Sequence, residues 1–266
     1  MHTFPADRPI EAVIRFPAGT CLVDATGDGV AVRAEPADPA RREDVRAAEG
    51  LAVAFTGGRL EVTAKKRLLG KVAGIGVGRV KLLVTVPPES GVTVRTDSGA
   101  VEVAGGALAD LDVDTGSGPV SAEHVTRSLR IDSSDSRVRI GQVDGDASID
   151  NGSGSVDIEV ASGPVTMNGS SGSLAIGSAA GPVRFSSGSG GLTVAAASGT
   201  RIEARTSSGG VSIGVPDGIG VRPRLKSSGG AKSGSLINGA DPAPAGHWLD
   251  VDVDTASGDI DIHPFS

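Results

Sequence analysis

The segment Val92-Thr93-Val94-Arg95-Thr96-Asp97-Ser98-Gly99-Ala100-Val101-Glu102-Val103 decides how this chain folds. Valines alternate with polar residues on both sides of a Thr-x-Ser-Gly turn. A period of two marks a strand with one face turned inward and the other outward. The turn signal begins again at Thr115, Asn151, Gly169, Ser187, Thr206, Lys226 and Thr255, with a degenerate copy, Ser-Ser-Asp-Ser, at Ser133. From Thr96 to Thr206 the steps are 19, 18, 18, 18, 18 and 19 residues. The flanks keep pace with the turns. Four and two residues before successive turns stand Val92/Val94, Leu111/Val113, Leu129/Ile131, Ala147/Ile149, Val165/Met167, Val183/Phe185 and Ile202/Ala204. A meander or a sandwich would also alternate, but neither has a reason to hold one register over seven copies. A stacked coil does, because each turn must superimpose on the last if its strands are to pair in parallel at about 4.8 Å. The reading is an all-β protein, a parallel β-solenoid or β-helix with coils of about 18 residues.

Composition agrees with this. The 266 residues include 40 Gly but only five Phe, one Trp and no Tyr, so the interior must be narrow and filled by small aliphatic side chains. The turn glycines Gly99, Gly118, Gly154, Gly172, Gly190 and Gly209 are expected at positive φ. The serine before each is expected to stack on its counterpart as a hydroxyl ladder. Residues 1–90 form a less regular N-terminal β segment that starts the solenoid, with residues 36–49 a loop or short helix. Residues 91–226 are the regular coils. Residues 227–266 are a Gly/Ser/Pro-rich loop and a capping coil with Trp248 as its lid. The whole is expected as one continuous domain.

The net charge of -7 and pI of about 5.1 argue against nucleic-acid binding, which needs a basic surface. The single Cys21 excludes an internal disulfide and a multi-cysteine zinc site, and reads as a small buried hydrophobe. The first residues carry no basic-then-apolar export signal, and no stretch of about 18 apolar residues could span a membrane. The expectation is a cytoplasmic chain, with peripheral association with the cell envelope left open.

The Val86-Pro87 to Val94 segment followed by repeated Val-x-Val-x-Thr-x-Ser-Gly-x-Val-x-Val units resembles the bacterial "putative adhesin" family of unknown function, β-strand-repeat proteins of the DUF4097 type. The resemblance covers nearly the whole chain, most strongly residues 80–262. It implies a β-solenoid fold and, through some relatives, a link to the cell envelope or its stress responses. Its motif is a repeat signature and not a catalytic one.

Few residues suggest chemistry. His2, His124, His247 and His263 are scattered without metal-ligand spacing, so no catalytic or metal residue and no cofactor is assigned. Asp114, Asp132 and Asp150 occupy the outward position just before successive turns. Three such carboxylates would repel one another, hold a cation weakly or supply an acid/base pair of the kind used by β-helix polysaccharide enzymes, with Arg130 two residues from Asp132 as a local neutraliser. Lys65, Lys66, Arg67 and Lys71 form the one basic cluster, read as a solvated loop or an anion-contacting one. Gly74, Gly76 and Gly78 are followed by no helix pattern, which removes a dinucleotide reading. Arg222, Arg224 and Lys226, followed by Asp250, Asp252 and Asp254, are expected as a cross-strand ion ladder with the basic strand between acidic ones. The sum is a non-enzymatic binding or scaffold protein for an unknown protein or polysaccharide partner, with self-association through the solenoid ends open. The alternative is a carbohydrate-active enzyme using the Asp114/Asp132/Asp150 face.

Overall fold

The computed structural model describes residues 1–64, 78–240 and 246–265, and the chain divides into two compact units, Met1–Ser136 and Arg137–Ser266. Both are built from parallel strands stacked in register, the solenoid that the 18-residue period predicts.

In the first unit the strands are β1 (His2–Pro5), β2 (Glu11–Asp24), β3 (Gly29–Pro36), β4 (Leu51–Thr56), β5 (Arg59–Ala64), β6 (Val80–Thr85), β7 (Gly91–Ser117) and β8 (Val120–Asp135), with one helix, α1 (Arg42–Glu49). Strand β2 pairs along one edge with β5 and β6 and along the other with β7. The β5/β6 coil is therefore outermost, although β2 precedes it in sequence. Inward residues meet in rows: Leu60 beside Ala12 beside Val92, and Val62 beside Ile14 beside Val94. Across the coil, Leu82, Cys21 and Val101 form another row, in which burial pushes the Cys21 thiol up to about 12. Cys21 is thus core packing, in keeping with its reading as a small hydrophobe. Beyond the outer coil the pairing becomes antiparallel, with β3 on β6, β4 on β5 and β1 on β3.

Helix α1 resolves the ambiguity of residues 36–49. Asp44 in its first turn is 1% exposed, and its carboxylate accepts the backbone N–H of Arg79 at 2.8 Å and of Asp38 at 3.1 Å. The Arg79 N–H holds this carboxyl below its ordinary range, against the opposing effect of burial. Gly78 lets the chain pass the helix, since a Cβ there would stand 2.1 Å from the Glu43 carbonyl oxygen.

The second unit contains β9 (Val138–Val143), β10 (Asp146–Ser153), β11 (Ser155–Ala161), β12 (Val165–Gly169), β13 (Ser173–Ala179), β14 (Val183–Ser187), β15 (Leu192–Ala197), β16 (Arg201–Thr206), β17 (Val211–Val215), β18 (Gly220–Ser227), β19 (Lys232–Ser233), β20 (Trp248–Thr255) and β21 (Ile260–Pro264). One row of strands runs β10, β12, β14, β16 and the other β9, β11, β13, β15, β17. Ile149, Met167, Phe185 and Ala204 stack in line, large side chains beside a small one. The sequence of coils then departs from chain order. Strand β16 pairs with β20, and β20 with β18; likewise β17 pairs with β21, and β21 with β19. Residues 248–264 are thus not the terminal cap expected of them. Trp248 stands on the outward alternation of β20, under the Arg222 guanidinium 4.0 Å from its ring, while Leu249 points in; Trp248 is therefore no lid.

The turns also differ from expectation in mechanism. Of the six glycines, Gly154 has a clearly left-handed φ of +123° and Gly118 sits near the extended limit at +157°. Gly99, Gly172, Gly190 and Gly209 are not among the positive-φ residues, and close approach explains them instead. A Cβ on Gly190 would lie 1.8 Å from the Gly172 oxygen, on Gly209 1.9 Å from that of Gly190, on Gly258 1.9 Å from that of Gly209, and on Gly230 2.0 Å from that of Gly258. Each coil touches the next through backbone. On Gly99 the obstacle is the Phe16 ring, 2.4 Å away. The hydroxyl ladder belongs to the residue that opens the turn, not to the exposed serine before the glycine. Ser187 Oγ accepts the Gly190 N–H at 2.9 Å, Thr206 Oγ1 that of Gly209 at 3.1 Å, Thr255 Oγ1 that of Gly258 at 2.9 Å and Ser227 Oγ that of Gly230 at 2.9 Å. Register sets Ser227, not Lys226, opposite Thr255, so this turn opens one residue later than the sequence pattern placed it. The opening residue follows the inward alternation, so only it can reach back to the turn N–H.

Candidate functional site

Outward side chains repeat with the coils, and on the first unit they form rows of paired charge. Register places Arg15 beside Arg95, and Asp114 beside Asp132. Arg95 Nη1 donates to Asp114 Oδ2 at 2.7 Å, and Nη2 lies 3.8 Å from Asp112. Arg130, expected to neutralise Asp132, stands opposite Asp112 and makes no ion pair among the described residues, whereas Arg95 neutralises Asp114. The period contained this signal, because Arg95 occupies the same place before its turn that Asp114 and Asp132 occupy before theirs. A parallel row pairs Arg127 with Asp110, Nε donating to Oδ1 at 3.0 Å, with Ser128 Oγ adding a bond at 3.0 Å. Arg127 holds the Asp110 carboxyl below its usual range.

Asp150 belongs to the second unit, where it faces Asn168 and accepts its amide N–H at 3.0 Å. The densest array lies farther along this unit. Arg201, Asp250 and Arg222 share one row, Glu203, Asp252 and Arg224 the next, and Arg205, Asp254 and Lys226 the third. The acidic strand lies between two strands that carry arginines, the reverse of the expected order. Glu203 is 8% exposed and contacts Arg205 at 2.6 Å, Arg184 at 3.3 Å and Arg201 at 3.9 Å. A cleft of about 420 Å³ opens beside the array, lined by Ser186, Arg205, Ser207, Ser228 and Asp254 among others.

The histidines are dispersed. His247 Nε2 lies 2.6 Å from the Ser198 carbonyl oxygen, and His263 Nε2 lies 3.5 Å from Ser212 Oγ. Among the described residues no three His, Cys, Asp or Glu side chains are grouped to hold a metal ion. Lys65, Lys66, Arg67 and Lys71 lie outside the described residues. No helix among the described residues is long and apolar enough to cross a membrane.

Stacked coils, backbone-tight turns and in-register outward charge define a parallel β-solenoid whose variable chemistry is carried on flat faces. The family model of the Toastrack proteins, DUF4097, matches residues 23–263, and the chain belongs to that family. It is similar to solved structures described as a "putative adhesin" from Parabacteroides distasonis (13% identity, 98% of this chain and 95% of that one, TM-score 0.49) and a "putative adhesin" from Bacteroides fragilis (15%, 98% and 96%, 0.37). A third is a "putative cell adhesion protein" from Clostridium sporogenes (11%, 96% and 92%, 0.28). No curated protein matches the sequence.

Proposed function

We propose that the chain is a non-enzymatic, adhesin-like binding or scaffold protein whose outward rows bind an extended polymer or a protein partner. The observation that carries this reading is the nine-residue charge array on β16, β20 and β18, held in register by three parallel strands. Spacing of about 4.8 Å between strands and about 6.6 Å between alternate residues makes a rigid lattice, suited to a ligand that repeats along its length. Two of the three carboxylates that suggested catalysis already have partners here, Asp114 in Arg95 and Asp150 in Asn168, which favours a surface role over acid/base work. A screen of the full chain against immobilised polysaccharides, with reducing-end release measured in parallel, tests the reading. Binding without release, weakened by the double change Arg222→Glu and Arg224→Glu, is the expected result. Release abolished by Asp132→Asn would overturn it in favour of a carbohydrate-active enzyme.

A further inference from the structure

One cavity lies apart from the charge array. On the first unit Arg15, Phe16, Thr63, Arg95, Asp97 and Asp114 surround a pocket of about 220 Å³, with Pro17 also in its wall. Its chemistry is divided. Arg15 and Arg95 stand at directly opposed positions of neighbouring strands, about 4.8 Å apart at the backbone, an arrangement in which like charges repel. Arg95 is compensated by Asp114 and Asp112, whereas Arg15 makes no ion pair among the described residues. Thr63 is the register neighbour of Arg15 on its other edge and brings a hydroxyl to the same side. Next to Arg95, on the side away from Arg15, Asp114 keeps acceptor capacity beyond its bond to Arg95, and Asp97 in the same lining is exposed. Pro17, with the small exposed part of the otherwise buried Phe16, supplies the apolar part of the lining.

A ligand that satisfies all three parts carries an oxyanion at one end, neutral hydrogen-bond donors at the other and an apolar face between them. A bare inorganic anion would answer Arg15 but meet Asp97 with repulsion. A neutral sugar would leave the Arg15 charge unanswered. We propose that this pocket binds a carboxylate-bearing sugar unit, its carboxylate on Arg15 and Thr63, its ring hydroxyls donating to Asp97 and Asp114, and its C–H face on Phe16 and Pro17. The volume suits one ring of a longer saccharide. The inference deepens the binding reading by naming a ligand class, yet it concerns residues separate from the β16–β20–β18 array and can fail without it.

The full chain is titrated calorimetrically at low salt with trigalacturonate, its methyl ester, a neutral galactose trimer, inorganic phosphate and free glycine. Trigalacturonate is expected to bind, with the ester and the neutral trimer weaker by about tenfold or more, the scale of one charge-assisted hydrogen bond. Arg15→Gln should bring the same loss, because Arg15 has no ion-pair partner among the described residues to disturb. Asp97→Asn should weaken binding less, and Arg139→Gln, on the exposed side of β9, not at all. Equal binding of phosphate or glycine, or indifference to Arg15→Gln, overturns the proposal. If polysaccharide binding responds to Arg224→Gln and not to Arg15→Gln, the pocket is refuted while the broader reading survives.

Discussion

At the N-terminal end of the first unit, β2 lies between the β5/β6 coil and β7; at the C-terminal end of the second unit, β20 and β21 lie between the β16/β17 coil and the β18/β19 coil. In both cases stack order departs from chain order: β5/β6 follow β2 in the chain yet lie outside it, and β18/β19 precede β20/β21 yet lie outside them. Strands β2, β20 and β21 are thereby paired along both edges. The two ends differ in how the outer coil is then closed. At the first, β3, β4 and α1 cover it. At the second, the described residues give β18 one antiparallel bridge, Val221 to Ala240, and its remaining edge carries Pro223, Arg224 and Lys226. One end is closed by added structure. The other relies on residues that discourage further strand pairing.

The largest expected effect tests the order of coils at the second end. Val253 is fully buried on β20, and its neighbours in register are Ala204 on β16 and Leu225 on β18. Val253→Asp places an unpaired charge between two coils and should cost more than about 3 kcal/mol. Because β18 and β19 rest on β20 and β21, amide protection should vanish from residues 220–233 together with 248–264. Leu225→Asp, on the half-buried outer coil, should cost much less and leave 248–255 protected. Reading stack order from chain order gives the opposite ranking, so equal or inverted losses in denaturant unfolding and hydrogen exchange would refute the observed arrangement.

How much of this is legible in the sequence depends on what sets each feature. Inward rows such as Ile149, Met167 and Phe185 follow from period and hydrophobicity, which act locally and can be counted. The order of the last coils does not, because β18 and β20 share the same apolar alternation and either could dock on β16. Their outward charges decide between them. Strand β16 presents Arg201 and Arg205, so seating β18 there would set Arg222 and Lys226 against them, while β20 offers Asp250 and Asp254. The like-charged pair Glu203 and Asp252 is tolerated because three arginines surround Glu203 and Arg224 stands opposite Asp252. The repeat locates the turn glycines but not the reason for most of them, since coil-to-coil distance is a property of the stack and not of any one turn. The Arg15 pocket escapes the sequence because β2 and β7 are some 80 residues apart in the chain, and β2 lies outside the repeat that aligns the other rows.

A smaller effect separates the covered end from the open one by pH. The Asp44 carboxyl titrates below its unfolded value of about 3.9, so the stability it contributes is complete above that value and is lost as pH falls through the lower folded one. Protection of the Arg79 and Asp38 amides should therefore decline on acidification below about pH 4. In Asp44→Asn, protection of these amides should be reduced already at neutral pH and should no longer follow this titration. An unchanged acid limb in the variant would show that Asp44 does not fasten α1 to the outer coil.

The smallest effect on folding falls on the open end, where edge chemistry replaces cover. Pro223 contributes no N–H to a new neighbour, and Arg224 and Lys226 bring charge that a second β18 would have to face at close range. The triple change Pro223→Val, Arg224→Thr and Lys226→Thr would give this edge a regular β-forming alternation while removing two exposed charges set opposite Asp252 and Asp254, interactions worth only about 0 to 1 kcal/mol each. The thermal midpoint should move little, whereas light scattering should show concentration-dependent association absent from the parent chain. The same three substitutions weaken the β18 contribution to the charge array, so association without loss of polysaccharide binding would assign these residues to edge protection alone. Loss of binding by a chain that stays monomeric would assign them to recognition and leave the Val221–Ala240 bridge as the feature that closes this end.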